Sequence, residues 1–443
     1  GALIGPAQVA GRLLEFGFLR RVHPLLSARL ATQAHPIGAA LLLALGPAMA
    51  PLFAILHGAG NGILTIAKGT LPLALFGPRG YGARQGWLLM PSRVAQALAP
   101  FAFWMALDAW GAGVLWLSGA LGLVAFGALM QAFDAAATRA ALPFGALIEA
   151  LRRMFRDGCR VPQRHTHVVD GAAGPAGTIL IMPAWIPDRY LGIKTINIFP
   201  GNAARGLPGL FATYVLYDAA TGQPLALIDG SELTSRRTAA ASALAASMLA
   251  RPGARRLLVV GGGRIAGLLP EAYRAVLPIE EVRVWTRRPA QAAAVVESLA
   301  ERDIAARAAP DLAEAVAWAD VVSCATLATE PVVQGRWLRE GSHLDLIGSF
   351  TPQMREADDA CFAGADLYVD VEEALGKSGE LLGPVSRGVF SAADLRGSLA
   401  DLCAGRARRS ADPLRRTVFK SVGTALEDLA AAVLVHEGGA PRG

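Results

Sequence analysis

Residues 261–266, Gly-Gly-Gly-Arg-Ile-Ala, place Gly261, Gly263 and Ala266 at the spacing of a strand-to-helix turn that binds a dinucleotide. The first glycine permits the tight turn and the second lets backbone approach a pyrophosphate. The small third residue lets helix pack on strand. Arg264 and Ile265 lie inside this turn, and a helix over 267–276 is expected to aim its first amides at the phosphates. A second strand over 282–285 ends in Thr286, Arg287 and Arg288, about where this fold reads the ribose. No acid stands there to hold a 2′-hydroxyl, whereas two arginines suit a 2′-phosphate. NADPH is therefore favoured, with NADH as the alternative. A strand over 320–323 brings Cys324 and Thr326 to the carboxyl edge of the sheet, beside the nicotinamide ribose.

The elements that must carry this turn divide the chain. The run 257–260 has the β-branched character of a buried parallel strand. Upstream, 140–155 has the apolar spacing of an amphipathic helix, 161–167, 178–183 and 190–198 read as strands, and 210–217 with 225–228 reads as a hairpin. A small-residue helix over 232–249 carries Arg236 and Arg237. Strands, then a helix, then a βαβ unit indicate two domains in this half.

Length allows two to three domains. The mean hydropathy of +0.39 hides two unlike halves. Residues 1–130 contain ten charged residues, eight of them positive, and 36–76 contains only Lys68. This pattern predicts membrane helices: the end of a span at 1–10, a hairpin over 36–76 reversing near Gly46 and Pro47, and another over 94–107 and 114–130. Basic loops with Arg12, Arg20, Arg21 and Arg29, and with Arg79, Arg84 and Arg93, fall on one side, which places the second half in the cytoplasm below an inner or plasma membrane. Lys68, mid-span, is a candidate functional residue. The net charge of +6 and pI near 9.4 follow from this bias and need no nucleic acid to explain them. The four scattered cysteines give neither a disulfide framework nor a metal site. The chain opens on Gly1 without a signal-peptide pattern and reads as a piece of a longer product.

Two resemblances follow. Gly5-Pro6-Ala7-Gln8, Gly60-Asn61-Gly62-Ile63 and Phe76-Gly77-Pro78-Arg79-Gly80 resemble the C-terminal helices of a major facilitator superfamily transporter. That fold transports between two halves, and the first is missing, so transport by this chain is not expected. Leu191-Gly192-Ile193-Lys194, Pro200-Gly201-Asn202, Leu233-Thr234-x-x-Arg237-Thr238, the glycine turn and Ser421-Val422-Gly423-x-Ala425-x-x-Asp428 resemble the ornithine cyclodeaminase/mu-crystallin family over roughly 133–437.

The second resemblance implies an α/β two-domain enzyme. Residues 131–250 with 421–443 would form an α+β substrate and dimerisation domain, and 251–420 a Rossmann domain. The expected whole is thus a membrane all-α segment of about five helices fused to that enzyme, acting as a homodimer. It further implies that Arg164, Lys194 and Arg237 bind the carboxylate of an imino or amino acid, with Lys194 catalytic, and that Ile347 and Ser421 join the cofactor set. His165 and His167 are expected to pack or to lie near the cofactor.

Cyclodeaminases carry an aspartate where this sequence has Phe350, and the stretch Ser349-Phe350-Thr351-Pro352-x-Met354-Arg355-Glu356 looks like the Δ1-pyrroline-2-carboxylate reductases. Ring closure of ornithine needs a group to manage protons on the attacking amine. Without that acid the expectation is reduction of a preformed cyclic C=N by NAD(P)H, giving L-proline or L-pipecolate, with Phe350 lining the pocket. The alternatives are an NAD-dependent ornithine cyclodeaminase releasing ammonia, and a transporter-linked protein that binds imino or amino acids.

Overall fold

The computed structural model describes residues 3–17, 24–76, 81–128, 131–171 and 174–439. The chain divides into two units, Gly1–Ala132 and Phe133–Gly443.

The first unit is helical: α1 (Ile4–Gly17), α2 (Pro24–Leu45), α3 (Ala50–Phe76), α4 (Tyr81–Trp110) and α5 (Val114–Ala128). The helices break at both expected places, but only α2 and α3 pack as a hairpin; α5 packs on α2 and not back along α4, which corrects the second hairpin. Gly46, at φ 79°, opens a short 3-10 turn at Pro47–Met49, and Gly111–Gly113 forms the other. The expectation of five membrane spans is corrected. Among the described residues only Pro47–Thr70 is long and apolar enough to cross a membrane. The described parts of α1 and α5 have 14 and 15 residues, below the ~20 that a bilayer core requires, and residues 18–23 and 129–130 beside them lie outside the described residues. The apolar run of α2 is confined to Leu30–Leu45, and α4 carries Arg84, Arg93 and Asp108. The basic loops are corrected as well, because Arg12, Arg29, Arg84 and Arg93 all lie within helices. Arg20, Arg21, Arg79 and the end of the span at 129–130 fall outside the described residues. Lys68 is exposed on α3.

The second unit has two sheets. The first orders β1 (Gln131–Phe133), β6 (Pro224–Asp229), β5 (Leu210–Asp218), β4 (Tyr190–Ile198), β3 (Gly174–Ile186) and β2 (His165–Gly171) side by side. The pairings from β2 through β6 are antiparallel. Along β4 burial alternates, so Gly192, Lys194 and Ile196 share the core face. Against this platform pack α6 (Ala135–Ala141), α8 (Gly230–Leu249) and the C-terminal helix Ala425–Gly439, and α7 (Phe144–Asp157) packs on the last two helices. The expected helix over 140–155 is broken at Leu142 and Pro143: an X-Pro step disfavours helical geometry before the proline, and α7 starts just after it. In α8 the alanines at 239, 240, 241, 243, 245 and 246 are fully buried, which lets the helix lie close on its neighbours.

The second sheet runs β13 (Leu395–Ser398), β12 (Asp366–Val369), β14 (Thr417–Lys420), β11 (His343–Leu346), β10 (Val321–Cys324), β7 (Arg256–Val260), β8 (Glu281–Trp285) and β9 (Ala306–Ala308). Every pairing is parallel, so all eight strands deliver their carboxyl ends to one edge.

Beneath this sheet Asp345 accepts hydrogen bonds from Tyr273 Oη (2.9 Å) and Ser323 Oγ (2.5 Å) and is wholly buried. Burial pushes its carboxyl up to about 6, against the three hydroxyls and Lys420 that favour ionisation. A raised folded value means that this group stabilises fully below pH ~4 and loses that contribution as pH rises through 6. The total is about 3 kcal/mol. Asp345→Asn keeps an acceptor for both hydroxyls. It should therefore gain on the parent by that amount between pH 4 and 7.5, read from unfolding followed by tryptophan fluorescence.

Candidate active site

The carboxyl edge of the parallel sheet gathers most of the residues expected to hold a dinucleotide. Gly261 follows β7, Thr286 follows β8, Thr326 follows β10, Ile347 follows β11 and Ser421 follows β14. Gly261 has φ 139°, and a Cβ there would lie 2.5 Å from the Ala325 carbonyl oxygen, so only glycine fits. At Gly263 a Cβ would meet nothing within 4 Å, which leaves open space for a phosphate against the backbone. Arg264 is exposed in the turn, Ile265 is half-buried and Ala266 is fully buried against the core.

The expected long helix after the turn is corrected. Residues 264–268 form turns, with Gly267 N donating to Gly263 O (3.2 Å) and Leu268 N to Ile265 O (2.8 Å). The α-helix itself is only Leu269–Arg274, with Pro270 in its first turn. The backbone amides that the turn leaves at the sheet edge thus belong to turns and not to a helix terminus.

A cleft of about 480 Å³ opens between the glycine turn, Thr286-Arg287-Arg288 and Ala325–Val332. Arg287 and Arg288 are exposed there, and their guanidinium groups have no hydrogen-bond or ion-pair partner among the described residues. Thr286 Oγ1 donates to the Arg288 carbonyl (2.6 Å), which fixes the loop that presents them. Cys324 is corrected as a side-chain contact: it is the last residue of β10 and its thiol is wholly buried in the core. Ile347 is likewise core-packed, whereas Thr326 is half-buried at this part of the edge.

The structure brings together two of the three cations expected at the substrate carboxylate. Lys194 Nζ lies 2.5 Å from Asp428 Oδ2 as an ion pair, and 3.4 Å from Thr234 Oγ1. Arg237 donates through Nε to Asp428 Oδ1 (2.9 Å) and through Nη1 to Glu427 Oε2. All four side chains are buried. Burial drives the Lys194 ammonium down to about 8, with Asp428 opposing and Arg237 adding to the fall. Burial also lifts the Glu427 carboxyl to about 8, beside Asp370 and Asp428, although Arg237 favours its ionised form. Asp428 is instead held below the usual range, because Lys194 and Arg237 outweigh its burial. Two adjacent carboxyls are thus pushed in opposite directions, the arrangement that separates a proton carrier from a permanent anion.

Arg164 stands apart. It precedes β2 instead of lying in a strand, is half-buried, and has no hydrogen-bond or ion-pair partner among the described residues. The register pairs His165 with Ile181, Met182 with Lys194 and Lys194 with Tyr214, so Arg164 is next to the β2 end of the row that holds Lys194. His165 and His167 are exposed, which corrects the expectation that they pack. Phe350 is 44% exposed in the loop after β11, on the same edge as Thr326.

Four acids had no role assigned from the sequence, although Asp428 and Glu356 stand in the motifs quoted above. Glu427 and Asp428 neutralise the cations, Asp370 accepts from Ser421 Oγ (3.0 Å) and from the amides of Val422 (2.8 Å) and Gly423 (2.6 Å), and Glu356 bonds the loops after β10 and β11. The signal for the first two was a pair of adjacent acids ahead of the apolar run 429–435 in the terminal helix. Among the described residues no group of three His, Cys, Asp or Glu side chains could hold a metal ion.

A parallel sheet with a dinucleotide-type turn, beside an antiparallel platform bearing a buried cation cluster, defines a Rossmann-type α/β enzyme fold. The chain belongs to the ornithine cyclodeaminase/mu-crystallin family, which it matches over residues 135–440. It is 46% identical over 287 residues to the Δ(1)-pyrroline-2-carboxylate reductase of Paracoccus denitrificans, spanning 64% of this chain and 88% of the relative. Its fold is similar to that of the Thermococcus litoralis Δ(1)-pyrroline-2-carboxylate reductase in complex with NADH and L-proline. That match has TM-score 0.65 and 31% identity and covers 70% of this chain and 97% of that one. It is also similar to an archaeal alanine dehydrogenase dimer with bound NAD (TM-score 0.64, 30% identity, 70% and 95% coverage). The family match starts at residue 135 and lends nothing to the transporter resemblance of 1–130.

Proposed function

We propose that this chain reduces cyclic ketimines, Δ1-pyrroline-2-carboxylate and Δ1-piperideine-2-carboxylate, to L-proline and L-pipecolate with NADPH. The reductase relatives support an NAD(P)H-dependent imine oxidoreductase. The observation that carries the narrower reading is the meeting of Lys194 and Arg237 on one buried pair of acids, reached from the platform side, while the glycine turn and Thr326 line the sheet edge. Residues 131–250 with 421–443 would hold the substrate, and 251–420 the cofactor.

The residues fit a dinucleotide: Gly261 makes the turn, Gly263 leaves room for a pyrophosphate, and Arg287 with Arg288 face the ribose end without competing acids. When bound, the reduced dinucleotide supplies the hydride. Lys194, Arg237 and Arg164 bind the substrate carboxylate, Arg237 as a planar fork and Lys194 as a compact charge that can also give a proton. Substrate binding requires the carboxylate to displace part of the contact that Asp428 and Glu427 make with the cations. A protonated Glu427 leaves the cluster with one net positive charge, which favours that exchange. Phe350 supplies an apolar wall for a ring. Orientation against the hydride donor accounts for much of the rate.

We read the enzyme as a homodimer, in keeping with the dimeric alanine dehydrogenase neighbour. We also propose that the helical unit associates with a membrane and that the enzyme unit faces the cytoplasm. The Pro47–Thr70 stretch supports the membrane reading, as do the outward apolar side chains of α4, with Phe101, Trp104 and Trp110 each more than 60% exposed. The test of the catalytic reading is NADPH oxidation on adding each cyclic imine, with the amino-acid product identified by chromatography. Turnover with ornithine plus NAD+ and release of ammonia would instead favour a cyclodeaminase.

A further inference from the structure

Glu356 lies in the loop after β11, is wholly buried, and touches none of the groups assigned to the substrate. Its Oε1 accepts hydrogen bonds from Thr326 N (2.7 Å) and Thr326 Oγ1 (2.8 Å), and its Oε2 accepts from Gly348 N (2.7 Å). One carboxylate thus ties the loop that follows β10 to the loop that follows β11. These loops carry Thr326, at the cofactor edge, and Phe350, two residues beyond Gly348.

The buckle has its own support. Glu380 accepts from the amides of Glu356 (2.8 Å) and Ala357 (2.9 Å) and from Ser349 Oγ (3.1 Å), so the backbone bearing the buckle is itself pinned. Gly348 is where the two loops touch, because a Cβ there would collide with Thr326 backbone and with the Glu356 carboxylate. Side-chain packing alone could join two such loops. A buried carboxylate joined to three donors is costly to bury and directional, which suits it to setting a position. Asp370 does the equivalent at the next strand pair, holding the 421–423 loop of β14 from β12.

We infer that Glu356 is a positioning residue for hydride transfer, its carboxylate fixing the Thr326 loop against the Gly348–Phe350 loop across the β10–β11 edge. This rests on the reading that Thr326 faces the cofactor and Phe350 the imine.

The substitution Glu356→Gln separates the bonds. Its amide oxygen can still accept from both donors of Thr326, while its NH2 confronts the Gly348 amide, donor against donor. In the full chain, kcat for cyclic-imine reduction should fall at least ~10-fold while KM for NADPH stays within about twofold, because the glycine turn anchors the cofactor elsewhere. The primary isotope effect on kcat with C4-deuterated NADPH should rise, as hydride transfer becomes limiting. A loss of folded protein would lower kcat and leave the isotope effect unchanged. Thr326→Val, which removes one hydroxyl bond and keeps the fold's volume, should fall about threefold in kcat in the same direction. It decides the matter if the glutamine variant does not fold. Unchanged kcat and isotope effect in folded variants would overturn the inference. If the parent chain reduces neither imine, the proposed substrate is wrong, and nicotinamide fluorescence of bound NADPH judges Glu356 independently. An altered emission in Glu356→Gln supports the positioning role, and an unaltered one rejects it.

Discussion

Replacing Lys194 with Met lowers kcat/KM for cyclic-imine reduction by about 10²–10³-fold, the size of effect seen when one preorganised donor is lost from a buried site. Dinucleotide binding stays near the parent value, because Lys194 belongs to the platform sheet and the glycine turn to the other. Methionine matches the length of the lysine stem and leaves Asp428 still bonded to Arg237. Removing one member of a buried ion pair commonly costs about 3–5 kcal/mol, so stability must be followed beside activity. With Glu427 protonated, loss of Lys194 leaves Asp428 balanced by Arg237. Adding Asp428→Asn would strand the Arg237 charge, so the double variant should be less stable than Lys194→Met and should not recover turnover. The pH profile gives a second reading. Lys194 and Glu427 are both placed at about 8, so the parent should lose activity above that pH as both deprotonate, and the methionine variant should show a shallower limb that comes from Glu427 alone. Equal kcat/KM in parent and variant would remove Lys194 from the mechanism.

The second large effect concerns cofactor choice. Converting both Arg287 and Arg288 to Ala should raise KM for NADPH by about 10–100-fold, the equivalent of one or two charge-assisted hydrogen bonds, and leave KM for NADH within about threefold. Both side chains are exposed at the cleft after β8, so their loss should barely move the melting temperature. Steady-state kinetics with the two cofactors separates the outcomes. Parallel losses with NADPH and NADH would mean that the arginines serve the loop and not a 2′-phosphate.

The parts of this structure legible in the sequence are those governed by local rules. The Gly261 turn was readable because a positive φ and a close carbonyl leave no room for another residue. The strand Tyr190–Ile198 was readable as an isoleucine-rich run holding Lys194 between apolar neighbours, whereas the inward face that Lys194 shares with Gly192 and Ile196 shows only in the fold. The helix after the turn was over-read, since Pro270 and the turn amides of 264–268 delay its start. The count of membrane spans drew on average apolar composition, which does not show how apolar residues are shared among helices: among the described residues only Pro47–Thr70 is both long and apolar enough, while the long α4 carries Arg84, Arg93 and Asp108.

The site itself was half legible. Lys194 and Arg237 could be named from the family motif. Their acidic partners lie about 190 residues away along the chain from Arg237, and only folding of the C-terminal helix onto the platform brings them into contact. The same holds for Glu356, whose partners come from two separate strand ends. Arg164 was drawn into the cation group by motif alone, and the structure leaves it beside the row without a partner among the described residues.

The most direct measurement is NADPH oxidation by the purified full chain on addition of Δ1-pyrroline-2-carboxylate, with the product resolved on a chiral column. One L-proline should form per NADPH consumed, at a rate abolished by boiling and strongly reduced in Lys194→Met. No oxidation with either five- or six-membered imine, by a chain that binds NADPH, would contradict the proposed activity.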